Sequence, residues 1–197
     1  MGIIDRVRNI LLTPKTEWPV IAAEPATVQG IFTGYAIPVA VLPVIGALLG
    51  SLLFGHLLGF AFVLVPAILG YVLGLVLLYV MALIADALAP SFDGGKGQVS
   101  ATKLVAYSAT PQWVAGFFAF IPGINILLAL AGFAYGAYLL YLGSTATMAV
   151  PVAKAPGYTA VLIVAWVVLG FFVSAAIVSA ITTAMIGGMA LTTPTVL

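Results

Sequence analysis

Hydrophobic positions follow two regimes along this chain. From the start, Ile3, Ile4, Val7, Ile10 and Leu11 recur at helical spacing, set against Asp5, Arg6, Arg8 and Asn9. That pattern predicts a short amphipathic helix with a basic polar face, suited to lying in the headgroup layer. Thr13 followed by Pro14 reads as the N-cap and first residue of a second short helix. Trp18 in that helix is expected at the interface, ring apolar and N–H wet, and Pro19 argues for a short or bent element. From Ile31 onward the polar positions almost vanish. Five apolar runs follow, at about 31–54, 57–89, 101–121, 124–142 and 158–188. Each can cross a hydrocarbon layer of ~30 Å, which takes about 20 helical residues. The second and fifth are about ten residues longer than that, so they are expected to tilt, kink at Pro66 or extend beyond the bilayer. The fold class read from this pattern is all-α. Residues 1–30 form an interfacial arm carrying Arg6, Arg8, Lys15 and Trp18, residues 31–190 a bundle of five transmembrane helices, and residues 191–197 a short external tail.

Composition agrees and narrows the function. Hydrophobic residues make up 64% of the 197, against six basic and five acidic side chains, too few charges to cover a soluble domain. The initial apolar run after Arg8 is only Ile10–Leu12 and ends at Thr13-Pro14-Lys15, which excludes a signal peptide. With no cysteine and the single histidine His56, thiolate chemistry and histidine-based metal clusters are excluded, and no cofactor is implied. A net charge of +1 gives no reason to expect a nucleic-acid partner. The connectors orient the chain. With five spans, the arm and the loops Pro90–Ser100 and Gly143–Gly157 share one side, which takes all six lysines and arginines: Arg6, Arg8, Lys15, Lys96, Lys103 and Lys154. The positive-inside rule then places the N-terminus in the cytoplasm and the C-terminus outside.

Candidate chemistry is sparse. Asp86 is the acid inside a long apolar run, where ionisable groups are costly and mark function or pairing. It ends the second run as Lys103 begins the third, at matching depth, so the two are expected to pair. Pro111 frees the carbonyl of Tyr107, within reach of the hydroxyls of Ser108 and Thr110. Asp86, Lys103, Tyr107, Ser108, Thr110 and Pro111 thus form a candidate polar pocket opening to the cytoplasm, for a lipid headgroup, a partner loop or an ion, or a structural clamp. Ser91–Gly97 lacks the spacing of a phosphate loop. Tyr135, Tyr138 and Tyr141 read as an aromatic belt or bundle contact, His56 as solvated in an outer turn, and Glu17 and Glu24 as local caps or pairs. Small-xxx-small spacings at Gly46/Gly50, Gly55/Gly59, Gly70/Gly74 and Gly132/Gly136 fit bundle packing or, alternatively, a homodimer seam. No nucleophile, base and orienting group fall together, so no enzyme is expected.

The segment Ala89-Pro90-Ser91-Phe92-Asp93-Gly94-Gly95-Lys96, then Lys103-Leu104 and Tyr107-Ser108-Ala109-Thr110-Pro111, resembles the Yip family (Ypt/Rab-interacting-protein-like), in its short prokaryotic branch. Arg8-Asn9-Ile10-Leu11-Leu12-Thr13-Pro14-Lys15 with Trp18 is similar to the same branch. The resemblance implies five membrane helices, a cytosolic N-terminus and residence in the plasma (inner) membrane of a prokaryote. In eukaryotic relatives it implies vesicle trafficking through Rab GTPases and membrane curvature. The long cytosolic N-terminal region of those relatives, with its Asp-Leu-Tyr-Gly-Pro-type motif, is missing here, so a GTPase partner does not carry over. The function expected is a non-enzymatic membrane organiser or scaffold whose partners are membrane lipids, with a second copy or another membrane protein left open. A small channel or transporter for ions or lipids, using Asp86 and the proline-broken helices, is the alternative.

Overall fold

The computed structural model describes residues 1–54, 61–121 and 123–192, all helix and short connections with no strand among them. Gly55–Gly59 with His56, Pro122 and the tail after Thr192 lie outside the described residues, and with them the readings made there. Helices α1 (Ile3–Leu12) and α2 (Pro14–Ala23) form a hairpin about Thr13. The first apolar run is broken into α3 (Val28–Ile31), a π-helical turn Phe32–Ala36, α4 (Ile37–Ala40) and α5 (Leu42–Phe54). Pro38 and Pro43 explain the breaks, since neither offers an N–H to the carbonyl a turn earlier. Helix α6 (Ala61–Leu88) instead runs unbroken through Pro66. A 3-10 turn, Ala89–Phe92, leads on to α7 (Gln98–Ser108) and α8 (Thr110–Phe117), and then come α9 (Asn125–Thr147) and α10 (Ala155–Thr192).

Among the described residues, four helical stretches are long and apolar enough to cross a membrane: Val28–Leu53, Val63–Phe92, Asn125–Thr147 and Ala155–Thr183. The run expected as a single helix over 101–121 is two short helices joined at Ala109. Pro111 is again the cause, because it cannot donate to the carbonyl of Tyr107. Helix α7 is buried at every position from Ala101 to Ser108, packed between α6, α9 and the N-terminal helices.

Burial divides the molecule lengthwise. The tight core gathers at one end: Ile10, Trp18, Ile21, Met81, Ala85, Leu104, Leu139, Met148, Tyr158 and Leu162 are all buried. Towards the other end the helices present apolar side chains outward. On α6 these are Val65, Ile68, Val72, Val76, Tyr79 and Leu83, a single stripe about 27 Å long at 1.5 Å per residue. Val161 to Val178 on α10 and Ile124 to Tyr138, from the N-cap into α9, continue the same belt.

The N-terminal helix turns opposite to expectation. Ile10 is fully buried, and Ile3, Val7 and Leu11 pack on the protein core, whereas Ile4 and Leu12 are exposed. The stripe expected to enter the headgroup layer is occupied by the rest of the chain.

The loop after α6 clamps two helix pairs together at the well-packed end. Gly95 N–H donates to the carbonyl of Met148 at 2.7 Å, and a Cβ on Gly94 would lie 2.7 Å from Val150 Cγ2. Asp93 and Ala149, each next to a residue of this contact, take left-handed backbone (φ 58° and 51°), which is disfavoured for non-glycine residues. Lys154 and Asp93 form an exposed ion pair over it.

The glycine pairs separate by function. A Cβ on Gly46 would fall 2.3 Å from the carbonyl oxygen of Phe117, and Cβ atoms on Gly132 and Gly136 would fall 3.0 Å from the carbonyls of Pro111 and Ser108. Gly74 has nothing within 4 Å, and Gly70 only Ile177 at 3.9 Å. Gly46→Ala should therefore destabilise the α5–α8 contact by about 1–3 kcal/mol through overpacking, with Gly74→Ala neutral or stabilising. Thermal unfolding in detergent checks this, and equal shifts in the two variants would refute the packing assignment.

Candidate functional site

The described ionisable groups converge on the well-packed end. Arg6 shares a helical stripe with Ile3 and Ile10 rather than with Arg8, so it points inward and is buried. Its guanidinium donates to the carboxylates of Glu17, on α2, and Glu24, just after it. Asn9 Nδ2 donates to the second oxygen of Glu17 at 3.2 Å. Burial works against the Arg6 charge, but the hydrogen bond and charge of Glu24, reinforced by Glu17, outweigh it and hold the group above its ordinary pKa.

Beneath the guanidinium lies an aromatic stack. Arg6 Cζ sits 5.7 Å above the centre of the Tyr107 ring, within cation–π range. Tyr107 packs against Tyr35 (4.4 Å between centroids) and edge-on to Trp18 (6.4 Å). Tyr35 and Thr110 share a hydrogen bond of 2.6 Å between their hydroxyls, which ties the first apolar run to the start of α8. Trp18 is 1% exposed. A Cβ on Gly143 would fall 2.7 Å from its ring, so α2 can approach α9 only because that position is glycine.

Lys103 belongs to the same cluster but not to Asp86. Its ammonium donates to the carbonyls of Ile21 (2.7 Å), Ala22 (3.2 Å) and Glu24 (2.6 Å). Three donors meet three carbonyls left unpaired at the C-terminal end of α2, where a cation is also favoured by the helix dipole. Asp86 accepts the N–H of Gly97 at 2.6 Å, closing the loop that precedes α7. Among the described residues the ion pairs are Arg6–Glu17, Arg6–Glu24 and Lys154–Asp93. The expected Asp86–Lys103 pair is thus replaced by contacts to the backbone, three made by Lys103 and one by Asp86.

Of the residues singled out from sequence, Arg6, Trp18, Lys103, Tyr107 and Thr110 come together here, and Pro111, next to Thr110, is buried. Ser108 is buried too, but its hydroxyl has no hydrogen-bond partner among the described residues. Neither it nor Thr110 reaches the freed Tyr107 carbonyl. Arg8 and Lys15 are exposed and stand outside the cluster, and Trp18 is core rather than interface. Tyr135, from the tyrosine stripe, caps α1 by donating to the carbonyl of Leu11 at 2.7 Å. Missed in the sequence were Tyr35 and the role of Gly143. The signal for Arg6 was present: it stands between Ile3 and Ile10 on the apolar stripe, with two acids downstream.

The Yip1 domain model matches residues 8–177. The chain belongs to the Yip1 family. The Yip1 domain therefore includes Glu17, Glu24, Lys103 and Tyr107, with Arg6 just ahead of the match. No curated protein and no solved structure matches the chain. With its apolar helices, this Yip1-domain chain is a multi-pass membrane protein.

Removing one partner of a buried ion pair leaves the other charge uncompensated, which typically costs about 3–5 kcal/mol. Arg6→Met is expected to lose that much stability and to expose the hairpin to protease. Arg6→Met/Glu17→Gln should recover part of the loss, because the stranded carboxylate is gone. Denaturant unfolding with limited proteolysis measures both, and additive losses would show the pair to be uncoupled.

Proposed function

We propose that this Yip1-domain protein is a non-enzymatic organiser of the membrane, acting through its shape and its lipid contacts. The observation that carries this reading is the separation of charge from apolar surface. The belt from Val65 to Leu83, Ile124 to Tyr138 and Val161 to Val178 contains no lysine, arginine, aspartate or glutamate, and its length of about 27 Å suits the hydrocarbon layer. The buried charges gather beyond it and are consumed by one another and by backbone carbonyls. A channel or transporter using Asp86 would need a polar path along the helices, and Asp86 is engaged with Gly97. The α1–α2 hairpin is added to the bundle at the well-packed end, and its outward face carries Met1, Ile4 and Leu12 beside Arg8 and Lys15. That face fits the headgroup layer of one leaflet. A protein broader in one leaflet than in the other favours curved bilayer. Proteoliposomes test the reading. The chain should narrow the vesicle size distribution and leave potassium and proton gradients intact, and Ile4→Asp/Leu12→Asp should abolish the narrowing without unfolding the bundle. Gradient collapse that requires the chain would overturn it in favour of the channel.

In the proposed orientation, in the inner membrane of a prokaryotic cell, the end with the hairpin and the clamped loops faces the cytoplasm, in keeping with the distribution of lysine and arginine. The chain has no native cysteine, so single-cysteine labelling is clean. Lys96→Cys, at an exposed loop position, should resist a membrane-impermeant maleimide in intact cells and react after lysis. Labelling in intact cells would reverse the orientation.

A further inference from the structure

The break between α7 and α8 opens on one side into a cavity that the charge cluster does not use. Its walls are Ser108 and Gln112 from the broken helix, Gly132 and Gly136 from α9, and Ile163 and Trp166 from α10, around about 90 Å³ of free space. Ser108 and Gln112, on either side of the break at Ala109, both line the cavity. The Ser108 hydroxyl is buried and unpartnered among the described residues, and Gln112 places an exposed carboxamide in the apolar belt. Two neutral hydrogen-bonding groups, one of them orphaned, stand at the edge of the apolar belt, and a buried one left unpaired is costly. Gly132 and Gly136, pressed against the carbonyls of Pro111 and Ser108, keep the floor of the cavity low. No ionisable residue lines it, so nothing in it selects a charged headgroup.

We propose that this cavity binds one glycerolipid through its acyl-ester linkage. The ester carbonyls accept hydrogen bonds from Ser108 Oγ and Gln112 Nε2, and the adjoining methylenes lie along Gly132, Phe133 and Trp166. The level fits: the cavity lies near the edge of the apolar belt, by Ala137 and Leu140, where a bilayer's ester groups sit between hydrocarbon and headgroups. The proposal rests on the belt lying in the bilayer and not on the curvature reading. Its test reads binding alone, so the two can fail separately.

The experiment is native mass spectrometry of the full chain in detergent, titrated with diacyl phosphatidylethanolamine and with its dialkyl-ether analogue of equal chain length. The diester should bind at one per chain, several-fold more tightly than the diether, which lacks the carbonyls. Changing the headgroup to phosphatidylglycerol should leave that ratio unaltered. Gln112→Leu, a change compatible with an apolar setting, should bring diester binding down about fivefold to tenfold towards the diether level while the melting temperature holds or rises. Ser108→Ala should act in the same direction. Equal retention of ester and ether lipids, retention that follows the headgroup, or undiminished binding in Gln112→Leu/Ser108→Ala would each overturn the proposal.

Discussion

A guanidinium buried between two carboxylates decides where the first 24 residues of this chain go. Arg6 cannot leave water unless both its charge and its donors are met, and Glu17 and Glu24 meet them only when α1 and α2 fold back on each other. Once formed, this hairpin presents the carbonyl end of α2 to Lys103 and the ring of Trp18 to Gly143. The cluster sets two cations against two carboxylates, and Glu24, its side chain 43% exposed, keeps it in touch with solvent. The broken helix α7–α8 is held from three sides as a result: by the hairpin, by Tyr35 through Thr110, and by the glycines of α9.

Much of the helical content was legible because long apolar runs bounded by proline and glycine have few other solutions in a bilayer. The α1–α2 hairpin was legible from Thr13-Pro14. What the pattern did not disclose was direction. An arginine between isoleucines reads equally as the rim of a polar face or as an inward charge, and its partners stand 11 and 18 positions away, beyond any helical spacing. Asp86 and Lys103 were expected to pair with each other. The backbone supplied their partners first, as Gly97 N–H and the α2 carbonyls, and free backbone groups cannot be seen in a list of side chains. The third run was read as one span because hydropathy continues through Pro111, whereas the hydrogen-bond ladder does not.

The glycine pairs show how little a spacing says alone. Gly46 and Gly74 sit in the same motif, yet one nearly touches a neighbouring carbonyl and the other faces open space. The belt around α6, α9 and α10 holds no lysine, arginine, aspartate or glutamate, so its contacts with surrounding lipid are dispersive and unspecific. Selectivity of any kind has to come from the well-packed end or from the break in α7–α8, the places where polar atoms lie close together.

The clamp between the loop at Gly94–Gly95 and the segment Met148–Val150 has a mechanical meaning. It fastens the α6–α7 and α9–α10 pairs at one end, so that end acts as a pivot. A rotation of only 2° about it displaces the far ends of helices about 27 Å away by about 1 Å. Motion of the distal ends is thus geared to small rotations at the fulcrum, where Asp93 and Ala149 hold left-handed backbone.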